Sequence, residues 1–223
     1  NGLFTEAIEP IRIAFDGLLP QENIRVFSAS GPVREINFAN KSRRQVSEFL
    51  REAFLESLNP DIIHICSLFE GYLDDAVTSI GHLGMDTPVS VTFYDLIPLL
   101  NYEHYLEKNK TFLAYYNSKL AFLRKASILL TLSDSVSREG VKHIPFNKNN
   151  IVNISTGLSL TLKKLSSKSF LPQDIVQPFI LTAGSEDPHK NLRLMVEAYA
   201  SLPDSIRKKF SLVLGGYFSK RWI

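Results

Sequence analysis

Four polar segments stand where a chain of alternating strands and helices would present a ligand. They are Ser67-Leu68-Phe69-Glu70-Gly71 with Asp74 and Asp75 behind it, Tyr94-Asp95, Ser133-Asp134-Ser135, and the run from Gly184 through Ser185, Asp187, Pro188 and His189 to Lys190 and Asn191. Each comes after an apolar run, and in open α/β sheets ligands bind beyond the carboxyl ends of the strands. A glycine-containing turn between strand and helix aims backbone N–H groups and the positive helix end at an anion, and a lysine adds a point charge. Gly184, Ser185, Lys190 and Asn191 are therefore candidates for holding a phosphate. The same residues would also make an ordinary capped helix start with a solvated lysine.

Grouped carboxylates suit sugar hydroxyls or proton abstraction, which makes Glu70 and Asp74, beside Gly71, candidates for either role. Asp74 and Asp75 equally suit the first turn of a helix. Tyr94 and Asp95 come directly after a strand, where an acid can orient a substrate or close a turn. The five histidines are scattered without ligand spacing, so no metal site is expected. Neither Gly-x-Ser-x-Gly, nor a Walker loop, nor Gly-x-Gly-x-x-Gly occurs, which argues against a hydrolase of that type, a P-loop ATPase and a dinucleotide oxidoreductase in the residues present.

The elements that would position these segments can be read from periodicity. Leu3 to Phe15 has near-helical spacing, Ile24 to Phe27 reads as a strand, and Ser28 to Asn40 as loop. Val46, Phe49, Leu50, Ala53, Phe54 and Leu58 recur at three- and four-residue steps and predict a helix whose apolar face meets the core, ended by Asn59-Pro60. Asp61 to Cys66 predicts a buried parallel strand, Tyr72 to Leu83 a helix, and Val89 to Tyr94 a strand. A long amphipathic segment from Tyr102 to Lys125 leads into a strand at Ile128 to Leu132, and Ser133 sits where a helix N-cap belongs. That helix runs to about His143, and another strand is expected at Ile151 to Ile154. Alternation of this kind predicts α/β architecture, a doubly wound parallel sheet with helices on both faces.

Residues 158–177 lose the period and read as a linker. A second unit would begin at 178, with a strand at Pro178 to Ala183, Asp187 as N-cap, a helix from Lys190 to Leu202 and a strand at Phe210 to Leu214. The expected domains are thus 1–157, a linker at 158–177, and 178–223.

With 44% hydrophobic and 22% charged residues, the composition is that of a globular protein. A formal charge of +2 is too small to point to nucleic acid, and no nucleic-acid partner is expected. The single cysteine, Cys66, permits no internal disulfide; no signal segment or run of ~18 apolar residues occurs, so a cytoplasmic location is expected. Arg207-Lys208-Lys209 and Lys220-Arg221 leave peripheral contact with the inner face of a membrane as a minor expectation.

Taken together the segments resemble family 4 glycosyltransferases, enzymes of the GT-B type with two facing Rossmann-like domains and a donor cleft between them. The resemblance rests on Val91-Thr92-Phe93-Tyr94-Asp95-Leu96-Ile97-Pro98-Leu99, on Ile128 to Glu139, and on Pro178 to Gly184 continuing to Asp187-Pro188-His189-Lys190-Asn191-Leu192. Around Phe69-Glu70-Gly71-Tyr72-Leu73-Asp74-Asp75 the chain looks most like bacterial enzymes that build surface polysaccharides, several of which transfer mannose from GDP-mannose. The resemblance implies metal-free transfer with retention of anomeric configuration, from a nucleotide diphosphate sugar to a glycan or lipid-linked acceptor. Lys190 matches the family's phosphate lysine, while Ser185, His189 and Tyr94 stand where arginine, arginine and histidine are common in relatives. It also implies an incomplete chain, with a first strand before Asn1 and an acidic donor motif beyond Ile223. Tyr94 and Asp95 are then expected at the catalytic centre. The competing expectation is a non-catalytic, degenerate or truncated glycosyltransferase-like module that pairs with another chain through open sheet edges.

Overall fold

In the computed structural model, residues 2–157, 175, 178–216 and 218 are described, and the chain divides into two compact units, Asn1–Gly157 and Leu158–Ile223. Apart from Ile175, the segment expected as linker lies outside the described residues.

The first unit holds helices α1 (Thr5–Ala14) and α2 (Lys41–Ser57), strands β1 (Ile63–Ile65) and β2 (Val89–Phe93), and short helices α3 (Ile97–Leu100) and α4 (Tyr102–Tyr105). Helix α5 (Lys110–Leu123), strand β3 (Ile128–Thr131), helix α6 (Asp134–His143) and strand β4 (Ile151–Asn153) come next. The four strands form one parallel sheet in the order β1-β2-β3-β4, the α/β arrangement that the sequence predicts. Ile63, Ile65, Val89, Val91, Phe93 and Leu129 are buried on one face beneath Tyr115, Tyr116, Leu120 and Leu123 of α5. Helix α6 comes so close to this face that a Cβ on Gly140 would lie 3.2 Å from the Phe93 ring. By register, the opposite face carries His64, Thr92, Leu130 and Val152, all at least partly exposed. His64 lies between the hydroxyls of Ser90 (2.8 Å) and Thr92 (3.0 Å).

Several expectations are corrected. Ile24 to Phe27 forms no strand; its one backbone bond of this kind is Phe27 O accepting from Gly2 N, and no neighbouring strand supplies a ladder. Residues 66–88 contain no helix between β1 and β2. There the carbonyls are satisfied from other elements: Gly71 O by Arg44, Thr78 O by Lys119, Ser79 O by Arg51 and Gly81 O by Lys125. A segment whose backbone acceptors are met by distant donors gains nothing by coiling on itself.

Helix α2 exists where expected but faces the other way: Val46, Phe49, Leu50 and Leu58 are exposed, while Arg44, Ser47, Glu48 and Glu52 are buried. The Tyr102 to Lys125 segment is interrupted at residues 106–109, where Asn109 caps α5 by accepting from Phe112 N at 2.9 Å. Ser133 caps α6 through a bond from Val136 N, as expected.

The second unit contains β5 (Phe179–Ala183), a 3₁₀ turn at Pro188–Lys190, α7 (Leu192–Ala200), α8 (Asp204–Lys209) and β6 (Ser211–Gly215). β5 and β6 pair in parallel from Phe179↔Ser211 to Ala183↔Gly215. Asp187 is not a side-chain cap; its carboxylate accepts from the Ser185 hydroxyl instead. The chain then passes through a left-handed residue, Asn191 at φ 51°, before α7 begins.

Candidate functional site

The carboxyl ends of β1 and β2 open into one cavity of about 480 Å³ in the first unit. Its lining brings together Glu70, Gly71, Asp74, Tyr94 and Asp95, five of the residues singled out from sequence, with Phe69, Tyr72, Phe112, Tyr115 and Tyr116 as an aromatic wall. Strand endings explain the convergence, because adjacent parallel strands deliver the residues after their last ladder bonds to the same side of the sheet.

Each acidic side chain is oriented by a short-range bond. Glu70 accepts from the Ser67 hydroxyl at 2.7 Å, Asp74 from Ala76 N at 2.7 Å, and Asp95 from Ile97 N at 2.9 Å. Tyr94 is exposed and reaches solvent at the rim. Gly71 has φ +92°, and a Cβ there would lie 2.3 Å from Ala76 O, so the backbone path of this wall requires glycine. Its carbonyl accepts from Glu35 N and from Arg44 Nη1.

The rings of the wall form a continuous set: Phe112 lies 4.9 Å from Tyr72, 5.7 Å from Tyr115 and 6.1 Å from Tyr116, centroid to centroid. Burial pushes the phenols of Tyr115 and Tyr116 above the ordinary tyrosine range, and the Tyr115 hydroxyl has no hydrogen-bond partner among the described residues. Carboxylates and aromatic rings lining one cavity suit a polyhydroxylated ligand, whose hydroxyls donate while its C–H faces lie on aromatic surface.

Asp75, considered with these from sequence, serves the fold instead: its Oδ1 accepts from Val33 N at 2.6 Å and Arg34 N at 3.0 Å. Behind the cavity lies a buried polar network that the sequence reading missed. Arg44 Nε sits 2.8 Å from Glu35 and 3.1 Å from Glu48, His82 is 3.1 Å from Glu48, and Glu52 accepts from the N–H groups of His82 and Leu83. Lys119, fully buried, donates to the carbonyl and hydroxyl of Thr78 at 2.9 and 2.6 Å. Burial, reinforced by the charge of Arg44, lowers its ammonium pKa to about 7; burial raises the Glu35 carboxyl, against the pull of Arg44. The signal was present in the spacing of Arg44, Glu48 and Glu52, which share one helical face.

In the second unit, Gly184, Ser185, Lys190 and Asn191 occupy a single turn after β5. The Lys190 Cβ would be 3.9 Å from a Cβ on Gly184, and Lys190 is exposed. Gly184 donates to Gly215 O at 3.0 Å, and its carbonyl lies so near Gly216 that a Cβ there would be 1.9 Å away. Helix α7 begins without a side-chain cap and without an acidic residue in its first turn.

No helix among the described residues is long and apolar enough to cross a membrane. No family model and no solved structure matches the chain. Among curated proteins it is 29% identical over 225 aligned positions to "Serotype-specific mannosyltransferase WbdA" of Escherichia coli, and 28% identical to another Escherichia coli protein of that name. Each match covers 96% of this chain and 27% of the relative. "O-antigen chain mannosyltransferase B" of Escherichia coli is 30% identical over 100 residues, 43% of this chain and 26% of that protein. By sequence the chain is similar to bacterial proteins named as mannosyltransferases, and it spans about 27% of the length of the WbdA relatives it matches.

Proposed function

We propose that the chain carries acceptor-side and donor-side parts of a retaining glycosyltransferase that moves a sugar, mannose from GDP-mannose, onto a glycan or lipid-linked acceptor. The observation that carries this reading is the convergence of Glu70, Asp74, Tyr94 and Asp95 over an aromatic wall in one cavity at the strand ends. In this reading Glu70 and Asp74 accept hydrogen bonds from acceptor hydroxyls, and the wall of Gly71 sets their height. Asp95, already fixed on Ile97 N, orients the hydroxyl that reacts, with Tyr94 at the rim beside it. At the turn that Gly184 opens, the Ser185 backbone N–H and the Asn191 side-chain amide serve as donors to the donor's diphosphate, and Lys190 balances the charge that develops on the departing phosphate oxygen. No cofactor or metal enters the proposal.

Circular dichroism melts with GDP-mannose, UDP-glucose and ADP-glucose test the donor side, since a ligand that binds only the folded state raises the midpoint. GDP-mannose is expected to stabilise the chain, and Lys190→Ala to weaken that binding by about tenfold. Incubation of GDP-mannose with a mannose oligosaccharide, read by mass spectrometry, tests transfer. No stabilisation by any sugar nucleotide and no extended product would overturn the proposal and favour a non-catalytic module.

A further inference from the structure

Lys119 is fully buried, yet among the described residues it forms no ion pair. Its ammonium donates to two neutral oxygens, both of Thr78: the carbonyl at 2.9 Å and the hydroxyl at 2.6 Å. An apolar side chain of similar length would fill the same space without desolvating a charge, so the reason for the ammonium lies in what it holds. The Thr78 hydroxyl passes the contact on by donating to Leu68 O at 2.7 Å. Leu68 lines the cavity at the strand ends, two residues before Glu70. On the other side of Glu70, Gly71 O accepts from Arg44 Nη1 at 3.1 Å and from Glu35 N at 2.9 Å. The backbone that carries Glu70 is thus fastened on both sides from behind the cavity.

An ammonium has three donors and no acceptor, so while Lys119 is charged the Thr78 hydroxyl can only accept from it and gives its own proton to Leu68 O. A neutral amine offers a lone pair in the same place, and the hydroxyl can then turn its proton to the nitrogen and release Leu68 O. Burial, reinforced by the charge of Arg44, brings Lys119 to a pKa of about 7, so both forms are populated near neutrality. The charged groups acting on it are Arg44, Glu48 and Arg51 of α2 and Glu35 before that helix, with His82 bound to Glu48. The rings of Tyr115 and Phe122 lie 5.6 and 5.7 Å from Nζ. We propose that Lys119 is a positioning residue for Glu70, acting through the Thr78 hydroxyl on the backbone at Leu68, and that its charged form keeps the cavity in its ligand-binding shape. The effect on a ligand rests on the acceptor reading above, whereas the relay from Lys119 to Leu68 does not.

Carbonyl-carbon NMR of selectively labelled Leu68 reads the relay with no ligand present. Its shift should titrate with a midpoint near pH 7 in the wild type and in Thr78→Ser, and stay flat in Thr78→Val and in Lys119→Met, both of which retain His82. Calorimetry with mannotriose should show binding about threefold weaker at pH 8.5 than at pH 5.5 in the wild type, because apparent affinity falls with the fraction of competent molecules, and no such change in Thr78→Val. A flat Leu68 signal in the wild type, or an unaltered titration in Thr78→Val, overturns the relay. A titrating signal with mannotriose binding that ignores pH overturns the positioning role. A titrating signal with no mannotriose bound at either pH upholds the relay and overturns the acceptor reading instead.

Discussion

Burying an ammonium against neutral oxygens makes stability depend on pH in a direction that can be worked out. Lys119 is held near pKa 7 in the folded chain, below its unfolded value of 10.5, so between these values the unfolded chain binds a proton that the folded chain does not. Stability should therefore rise as pH increases from about 7 towards 10. Tyr115 and Tyr116 act oppositely: their folded pKa values are raised, so above the ordinary tyrosine value of 10.0 the unfolded chain loses protons that the folded chain keeps, and stability falls. Melting midpoints should peak just below pH 10, and Lys119→Met should flatten the rising limb. A second expectation concerns Gly71. Alanine there meets both a left-handed φ and a 2.3 Å approach to Ala76 O, so Gly71→Ala should cost about 3 kcal/mol in a urea titration. Glu70→Gln and Asp74→Asn should each weaken mannoside binding measured by calorimetry while moving the melt little. The placement of Glu70, Asp74, Tyr94 and Asp95 was legible because each comes soon after an apolar strand run. Lys119 was not, since a charged residue in a helix ordinarily reads as solvated, and the one hint for Arg44 was the helical face it shares with Glu48 and Glu52.

Helix α2 is the element where periodicity misleads most. Its apolar stripe satisfied every rule for a core-facing surface, yet its buried side carries Arg44, Ser47, Glu48 and Glu52. The reason lies in the segment after β1: residues 66–88 run without helix and offer bare carbonyls and N–H groups, which Arg44, Arg51 and Glu52 of α2 meet. The two misreadings are thus one, a helix assigned to 72–83 and a hydrophobic face assigned to α2. Urea titrations should reflect the inversion. Val46→Ser on the exposed stripe should change stability by no more than about 0.5 kcal/mol, while Leu123→Ala in α5 should cost about 3 kcal/mol. Strands β2 and β3 and the cap of α6 were legible because continuous apolar runs and a serine before a helix are decided locally.

At the scale of the molecule, the two units differ in how much they bury. Among the described residues, the buried apolar side chains belong to the first unit except Leu192. Amide hydrogen exchange should accordingly be slower in β2 and β3 than in β5 and β6, because local opening is easier where little apolar surface is removed from water. The alternation of strands and helices made the α/β class and the parallel sheet readable from the chain, since each connection is long enough for a crossover. It also led to helices on both sheet faces, whereas among the described residues His64, Thr92, Leu130 and Val152 on one face are at least partly exposed, because cover depends on what packs above a face. The exposed stripe of α2 has a practical consequence: Val46, Phe49, Leu50 and Leu58 offer a greasy landing place to any amphiphilic fluorophore. The native chain should light up anilinonaphthalene sulfonate at room temperature, before any denaturation. Bright emission will then mark an intact molecule rather than a molten one, and dye-monitored melts of this protein will start from a high baseline.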